Sequence, residues 1–163
     1  MNMCKWLVTV FFFLAALSLS AQTAADMDVL LNTQAVSTQA AVRFILGAAD
    51  LLPQGISGAE AEKAAYDMAQ SRGWVTKAAD APATLQDTGF LIMKAFDIKG
   101  GLLYTLIGNP RYAYREMVYR KLIQGRADPA MIVSGPRLLQ ITGRTLSLSE
   151  DIKGGAEPEG GVQ

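Results

Sequence analysis

Apolar residues recur at helical spacing in three segments of the chain, each opened by a small residue or valine and then by a hydroxyl residue. The segments are Val36-Ser37 to Ala48, Ala83-Thr84 to Phe96, and Val133-Ser134 to Leu146. Apolar positions three and four residues apart share one face of a helix, and a Ser or Thr side chain accepts a hydrogen bond from a free N–H group of the first turn. The pattern predicts three capped helices, repeated at offsets of 47 and 50 residues.

Two further helices are predicted ahead of the second and third segments. Ser57 opens a capping box for a helix that runs to Ser71 and is ended by Gly73. Asn109-Pro110 starts the other helix, because asparagine is a good cap and proline is accepted at the first helical position. We predict that this helix ends at Gly125.

The predicted fold is all-α, with tandem helix-loop-helix repeats in one compact domain of about five or six helices. The repeat cores span about residues 36–50, 58–98 and 109–148, and the first copy lacks a well-formed leading helix. Repeats of this length are typical of stacked helical units rather than of an enzyme built around one pocket. The apolar run Leu102 to Ile107 fits either a helical turn or a short strand, because so few residues do not separate the two periods.

The first 21 residues have the pattern of a secretory signal peptide. Lys5 precedes an apolar run from Trp6 to Leu17, and small residues follow up to Ala21. The run is shorter than the roughly 20 residues that a membrane-spanning helix needs, so we expect cleavage rather than a retained anchor. The sequence predicts an exported protein of the periplasm or cell surface, with a mature domain over 22–148 and a flexible tail over 149–163.

The side-chain inventory excludes several kinds of active site. The chain has no histidine, and Cys4 lies within the predicted leader. Ser-His and Cys-His nucleophilic sites and zinc sites of imidazole or thiolate are therefore excluded from the mature chain. We predict a non-catalytic protein with no cofactor and no metal. The catalytic alternative is a glycoside hydrolase with paired carboxylates, whose candidates are Asp80, Asp87, Asp97 and Glu116.

The net charge of zero conceals an asymmetry along the chain. Residues 26–97 contain nine acidic and five basic residues, whereas residues 111–144 contain seven basic and two acidic residues. A basic face on the last repeat suits an anionic polymer, and the same asymmetry equally allows the two halves to attract each other. Nucleic acid is not expected as a partner, because an exported and neutral chain lacks the strongly basic footprint of such proteins.

The segment over 111–121 is rich in arginine and tyrosine. Arg111, Arg115 and Tyr119 are spaced by four and share one face of the predicted helix, which is otherwise an ordinary amphipathic helix with solvated or paired arginines. Guanidinium groups bind carboxylate or phosphate through two hydrogen bonds, and tyrosine rings stack on sugars. Trp74 is predicted to anchor packing between units, or alternatively to form a sugar platform. The candidate ligand-binding residues are Arg111, Tyr112, Arg115, Tyr119, Arg126 and Arg137.

The helix, turn, loop and capped second helix resemble S-layer homology repeats over about residues 36–146. The most similar stretch runs from Arg111-Tyr112-Ala113 to Ala127-Asp128, and is similar to the family's aromatic-Ala start and its Gly-x-x-Asp-Gly turn. The family's Thr-Arg-x-Glu signature corresponds to Thr84-Leu85-Gln86-Asp87 and to Ser134-Gly135-Pro136-Arg137. Both keep the hydroxyl residue and lack the arginine. The order of units is also similar to that in amino-terminal regions of spirochaete periplasmic envelope proteins.

In the S-layer homology family, tandem repeats hold exported proteins to anionic cell-wall polysaccharide. The resemblance therefore implies a cell-envelope module that attaches to wall polysaccharide or peptidoglycan, with no membrane span after signal cleavage. The alternative partner is another envelope protein, bound by a scaffold module through its apolar faces or its tail. Because the signature arginine is missing from both copies, the resemblance implies the helical scaffold more directly than polymer recognition.

Overall fold

A computed structural model describes residues 27–53 and 55–154 of the chain. These residues form seven helices and no strand beyond two isolated bridges, so the all-α prediction is confirmed. The predicted signal peptide and the end of the predicted tail lie outside the described residues. The helices are α1 (residues 27–32), α2 (Thr38–Ala48), α3 (Gly58–Ser71), α4 (Leu85–Ala95), α5 (Leu102–Ile107), α6 (Pro110–Tyr119) and α7 (Gly135–Gly154).

The residues that precede the three predicted caps hydrogen-bond to one another in a closed ring. The backbone N–H of Val36 donates to the carbonyl of Val133, that of Val133 donates to Ala83, and that of Ala83 donates to Val36, each at 2.9 Å. All three side chains are buried. Each copy thus supplies one donor and one acceptor, which gives the domain an approximate threefold arrangement around this ring.

A second layer of backbone hydrogen bonds repeats around the ring. The first residue of each capped helix donates to a loop of another copy, and the pairs are Thr38 to Ala81 (2.7 Å), Leu85 to Met131 (2.9 Å) and Gly135 to Thr33 (2.8 Å). The next residue donates as well in two copies, Gln39 and Gln86. The third copy has Pro136 at this position, which carries no N–H. These bonds satisfy first-turn N–H groups that would otherwise lack partners.

The capped helices α2, α4 and α7 contact one another in every pair and form the centre of the domain. α3 packs on α2, and α6 packs on α4. α1 takes the corresponding place on α7, because Leu30 lies directly against Gly135 at the start of that helix. The leading helix of each copy therefore packs on a capped helix of another copy, and the short leading helix of the first copy closes the ring.

Four helices end in the same way, with a left-handed residue followed by an apolar residue that turns inward. The left-handed residues are Asp50, Gly73, Asp97 and Lys121, after α2, α3, α4 and α6 respectively. The next residue in each case donates its N–H to the carbonyl five residues earlier, as Trp74 does to Ala69 at 2.8 Å. This bond is the mark of the Schellman motif, which satisfies carbonyl groups of the last helical turn.

The ends of α6 and α7 differ from the predictions. α6 ends at Tyr119 rather than at Gly125, because Lys121 has φ 59° and reverses the chain so that Leu122 and Ile123 become buried. α7 continues to Gly154, past the predicted start of the tail at residue 149. Its sequence has Ser147 at the place where α4 has the left-handed Asp97, so nothing stops the helix there.

α3 has the predicted bounds, but the capping hydrogen bond predicted from the Ser57 side chain is wrong. The Ser57 side chain makes no capping hydrogen bond, and Gly58, the first helical residue, has φ 57°. This left-handed backbone turns Ser57 away from the free N–H groups. By contrast, the Ser37 hydroxyl oxygen accepts from the Ala40 N–H at 3.2 Å, as predicted for α2. The predicted cap of α4 is wrong in its hydrogen bond, because the Thr84 hydroxyl donates to the Asp87 carboxylate instead of accepting from a free N–H group.

Candidate functional site

α6 presents three of the predicted ligand-binding residues to solvent. Arg111 and Arg115 are exposed, and Tyr119 is 83% exposed. Within the described residues, neither guanidinium group takes part in an ion pair or hydrogen bond. The opposite side of the helix, with Met117 fully buried, packs on α4. We call Arg111, Arg115 and Tyr119 the α6 basic face; it is solvated rather than packed against the acidic half of the chain.

Glu116 does not neutralise the α6 basic face, because other groups hold its carboxylate. Arg120 Nε donates to Glu116 Oε1 at 2.7 Å, and the backbone N–H of Gly101 donates to Oε2 at 3.2 Å. Arg120 also donates to the carbonyl of Lys99 at 2.6 Å. This network joins α6 to the segment before α5, so its charges serve a structural contact.

The other predicted ligand-binding residues lie outside the α6 basic face. Tyr112 is half-buried, and Arg126 is exposed in the loop after α6. Arg137 Nη2 donates to the carbonyls of Gln124 at 3.2 Å and Arg126 at 2.5 Å, and Nη1 lies 3.7 Å from the sulfur of Met131. Arg137 therefore fastens this loop to the start of α7. The structure brings only Arg111, Arg115 and Tyr119 of the predicted set onto one exposed surface.

Two tyrosines near this face have raised pKa values. Burial raises the pKa of Tyr114, Asp128 raises it further, and Arg137 opposes the shift. Burial and, to a smaller extent, Asp97 raise the pKa of Tyr104. Because both phenols stay neutral at physiological pH, the charge of the α6 basic face comes from its arginines.

A cleft of about 230 Å³ opens beside the start of α6. Its walls come from α2, α4, the loop after α3 and the residues that lead into α6, and its polar or aromatic lining includes Trp74, Lys77, Asp87, Thr88 and Asn109. We call it the Trp74 cleft. Trp74 is half-buried against the core, and the guanidinium carbon of Arg72 lies 4.8 Å from its ring centroid. The residue thus combines the predicted packing role with a position on a cleft wall.

One wall of the Trp74 cleft carries an ion pair and an unpartnered hydroxyl group. Lys77 Nζ lies 2.6 Å from Asp87 Oδ2, and the Thr84 hydroxyl donates to the same oxygen. Thr88 is 2% exposed, and its hydroxyl has no hydrogen-bond partner within the described chain. An unsatisfied buried polar group costs about 1–3 kcal/mol. Sequence reasoning missed Thr88, whose only signal is a polar residue on the apolar stripe of α4.

The four candidate carboxylates are not gathered at one site. Asp80 and Asp97 are exposed, Asp87 pairs with Lys77, and Glu116 pairs with Arg120. Of the four, only Asp87 lines the Trp74 cleft. Over residues 27–53 and 55–154, no group of three or more His, Cys, Asp or Glu side chains is placed to hold a metal ion. Two of the four carboxylates are therefore held in ion pairs and the other two are solvated.

No helix in the described part of the chain combines the length and hydropathy that crossing a membrane requires. Comparison of the chain with protein-family models, curated proteins and solved structures found no match. The α6 basic face and the Trp74 cleft are the two candidate binding features of the described chain.

Proposed function

We propose that this protein is a non-catalytic module of the cell envelope that attaches to an anionic wall polymer or peptidoglycan through the α6 basic face. The observation that carries the proposal is the exposure of Arg111 and Arg115 without a neutralising partner in the described chain. Holding two like charges one turn apart costs stability, so a ligand that neutralises both is favoured. The predicted export and the resemblance to S-layer homology repeats agree with this function.

The geometry of the α6 basic face suits a polymer with repeated anionic groups. Residues four apart on a helix are separated by about 6 Å along its axis. Each guanidinium group binds one carboxylate or phosphate through two parallel hydrogen bonds. Tyr119, one turn further on and 83% exposed, offers a ring on which a sugar stacks. The face therefore presents two anion-binding groups and one sugar-binding group in a row.

The Trp74 cleft supplies a second contact for the same ligand. Pro110 lines the cleft and Arg111 follows it directly, so a polymer bound along α6 reaches the mouth of the cleft. The cleft is smaller than the roughly 300–1,000 Å³ of sites for drug-sized ligands, which suits one sugar ring rather than an oligosaccharide. Trp74 offers an apolar surface to such a ring. The Thr88 hydroxyl has no partner in the described chain but is buried behind this wall, so it becomes available to a ligand only when the wall moves.

Retention on purified sacculi tests the proposal. We expect the protein to sediment with sacculi at low salt, and the double variant Arg111→Glu with Arg115→Glu to lose at least tenfold in affinity, since each lost charge-assisted hydrogen bond is worth about 1.5–3 kcal/mol. Added salt should weaken binding of the wild type. The control is Lys63→Glu with Gln70→Glu, at two exposed positions on α3, which lowers the net charge by three where the test variant lowers it by four.

Equal retention of the wild type and the Arg111/Arg115 variant would overturn the proposed site. Capture of a specific envelope protein by cross-linking in intact cells, together with no retention on sacculi, would instead favour an interaction scaffold. Circular dichroism of both double variants checks that the helices remain folded, which is expected because all four side chains are exposed.

A further inference from the structure

α5 exposes a row of large apolar side chains. Leu102 is 76% exposed, Leu103 53%, Leu106 73% and Ile107 51%. Tyr104 alone among the residues of this helix packs half-buried against the core. We call the four exposed residues the α5 apolar surface. Contiguous exposed apolar groups on a folded domain mark a surface that meets another molecule or a membrane.

The α5 apolar surface is held out from the domain by specific contacts. The carboxylate of Glu116 accepts from the Gly101 N–H at 3.2 Å just before the helix begins. At the other end, Gly108 has φ 59° and donates its N–H to the Tyr104 carbonyl at 2.7 Å. Lys94 Nζ lies 5.8 Å from the Tyr104 ring centroid. The start of α5 and Tyr104 are thus held against α6 and α4, and Gly108 ends the helix, while its leucines face solvent.

Positive charge surrounds the α5 apolar surface. Residues 94–121 contain six basic and two acidic residues. One of the acids, Glu116, is already paired with Arg120. Lys99 precedes α5 and is exposed, while the α6 basic face lies on the adjoining helix. The other acid, Asp97, is exposed and lies close enough to Tyr104 of α5 to raise its pKa. The surface therefore has an apolar centre and a surround with a net positive charge.

This combination disfavours two other occupants of the surface. A second copy of the chain, docked through the same surface, would bring two cationic surrounds together. The chain after residue 154 contains Glu157 and Glu159, but Val162 is its only large apolar residue, so it offers little to cover four large side chains. An occupant must supply both an apolar phase and negative charge.

We propose that the α5 apolar surface inserts into the headgroup region of a bilayer that contains anionic lipid. The leucines then enter the boundary of the acyl chains, which amphipathic surface elements reach at a depth of roughly 5–10 Å. Lys94, which lies over the Tyr104 ring, and the exposed Lys99 meet the lipid phosphates, where each basic residue near the surface contributes about 1 kcal/mol. This surface is separate from the wall-polymer site and goes beyond the proposed function.

A fluorescent probe on α5 tests the proposal without interference from the apolar segment near the amino terminus. In a Cys4→Ser background, Leu103→Cys is labelled with an environment-sensitive fluorophore, and Gln70→Cys on α3 serves as the matched exposed control. Vesicles of equal parts phosphatidylcholine and phosphatidylglycerol should shift the emission of the probe at 103 to the blue. Phosphatidylcholine alone should give a smaller shift, and the probe at 70 should not respond.

Adding Leu102→Ser and Leu106→Ser to the probe variant should lower the vesicle partition coefficient by about tenfold for each leucine. The same substitutions should leave retention on sacculi unchanged, so failure of the membrane proposal is distinguishable from failure of the wall-polymer proposal. The absence of a shift with mixed vesicles would overturn the membrane proposal. So would an equal shift with neutral vesicles, or a shift without vesicles that grows with protein concentration, which would indicate self-association.

Discussion

α3 and α6 hold equivalent places in the second and third copies, yet their exposed surfaces differ in charge. The two helices can be aligned on the left-handed residues that end them, Gly73 after α3 and Lys121 after α6. In this alignment Arg111 on α6 corresponds to Lys63 on α3, and Arg115 corresponds to Asp67. On α3 the two side chains form an ion pair at 2.5 Å. On α6 both are positive, and no partner in the described chain compensates them.

The repeat thus supplies a common scaffold, and single surfaces on it differ in the charge that they present. Both helices end in the same motif and pack in the same way on a capped helix. On α3 the two charges neutralise each other, whereas on α6 the equivalent positions carry two positive charges. The α6 surface is therefore the one suited to an external anion. Substitutions that disturb the shared scaffold should therefore change stability more than substitutions that alter the difference between the two surfaces.

The largest expected effect comes from Gly135→Ala, which attacks the scaffold at the α1–α7 contact. A Cβ at this position would stand 1.6 Å from the Leu30 carbonyl oxygen, so α1 must move away from α7. We expect the free energy of unfolding to fall by about 3 kcal/mol, the upper part of the usual range for overpacking. Chemical denaturation followed by circular dichroism measures the change.

Gly143→Ala in the same helix is the matched control for this substitution. Gly143 is exposed, and an added Cβ would meet nothing within 4 Å. Alanine at a helix-interior glycine should therefore raise stability by about 0.5–1 kcal/mol. Equal effects of the two substitutions would show that α1 does not close the ring in solution.

Thr88→Val, at the wall of the Trp74 cleft, should change stability by an intermediate amount. It should stabilise the protein, whereas Gly135→Ala should destabilise it. The equivalent position in the third copy, Leu138, is apolar and fully buried, whereas Thr88 buries an unpartnered hydroxyl. Replacing this hydroxyl by a methyl group of similar size should stabilise the protein by about 1 kcal/mol and weaken retention on sacculi. Differential scanning calorimetry and the sacculus assay measure the two changes.

Thr145→Val provides the comparison for Thr88→Val. Thr145 is also fully buried, but its hydroxyl donates to the Ile141 carbonyl at 2.9 Å. Its replacement removes a made hydrogen bond and should bring no gain in stability. If Thr88→Val stabilises the protein without changing retention, the cleft has no part in binding the polymer.

The smallest effect on stability is expected when the charged residues of α6 are replaced by those at the equivalent positions of α3. This change tests directly whether the charge difference between the two helices controls binding. Arg111→Lys with Arg115→Asp replaces two like charges by an ion pair spaced by four, which should raise stability by about 0.5 kcal/mol. Retention on sacculi should fall to the level of the double glutamate variant. Thermal unfolding and the sacculus assay measure the two changes.

Adding Lys63→Arg and Asp67→Arg to that variant returns the net charge to that of the wild type, but places the two arginines on α3 instead of α6. We expect no recovery of retention on sacculi, because the polymer also needs the neighbouring Trp74 cleft beside the start of α6. Full recovery would show that net charge, rather than its position beside the cleft, controls binding.

Local sequence patterns predicted most of the helices but fewer of the ends and contacts. The hydroxyl residue and apolar stripe located α2 and α4 closely, since these signals act within one helix. The end of α6 was missed because Lys121 takes a left-handed backbone that is rare for lysine, and burial of Leu122 and Ile123 compensates for it.

The candidate site was predicted only in part, because local spacing places residues on one helical face but does not show which distant groups contact them. The spacing of Arg111, Arg115 and Tyr119 defines a helical face from sequence alone, and these residues are exposed on one surface. Arg137 has no such local signal, because the carbonyl groups that occupy it belong to a loop brought close by tertiary packing. The Trp74 cleft likewise combines walls from four separate segments.

The helical class, the positions of the three apolar segments that open on a hydroxyl residue, the basic composition of the last repeat and the lack of histidine chemistry follow from the sequence alone. These properties depend on neighbours within one or two helical turns, or on composition. The ring of backbone hydrogen bonds between Val36, Ala83 and Val133 and the exposure of Arg111 and Arg115 are set by the tertiary fold. Those outcomes depend on which segments meet in space, and backbone donors and acceptors are the same in every residue except proline, so no side-chain pattern records their pairing.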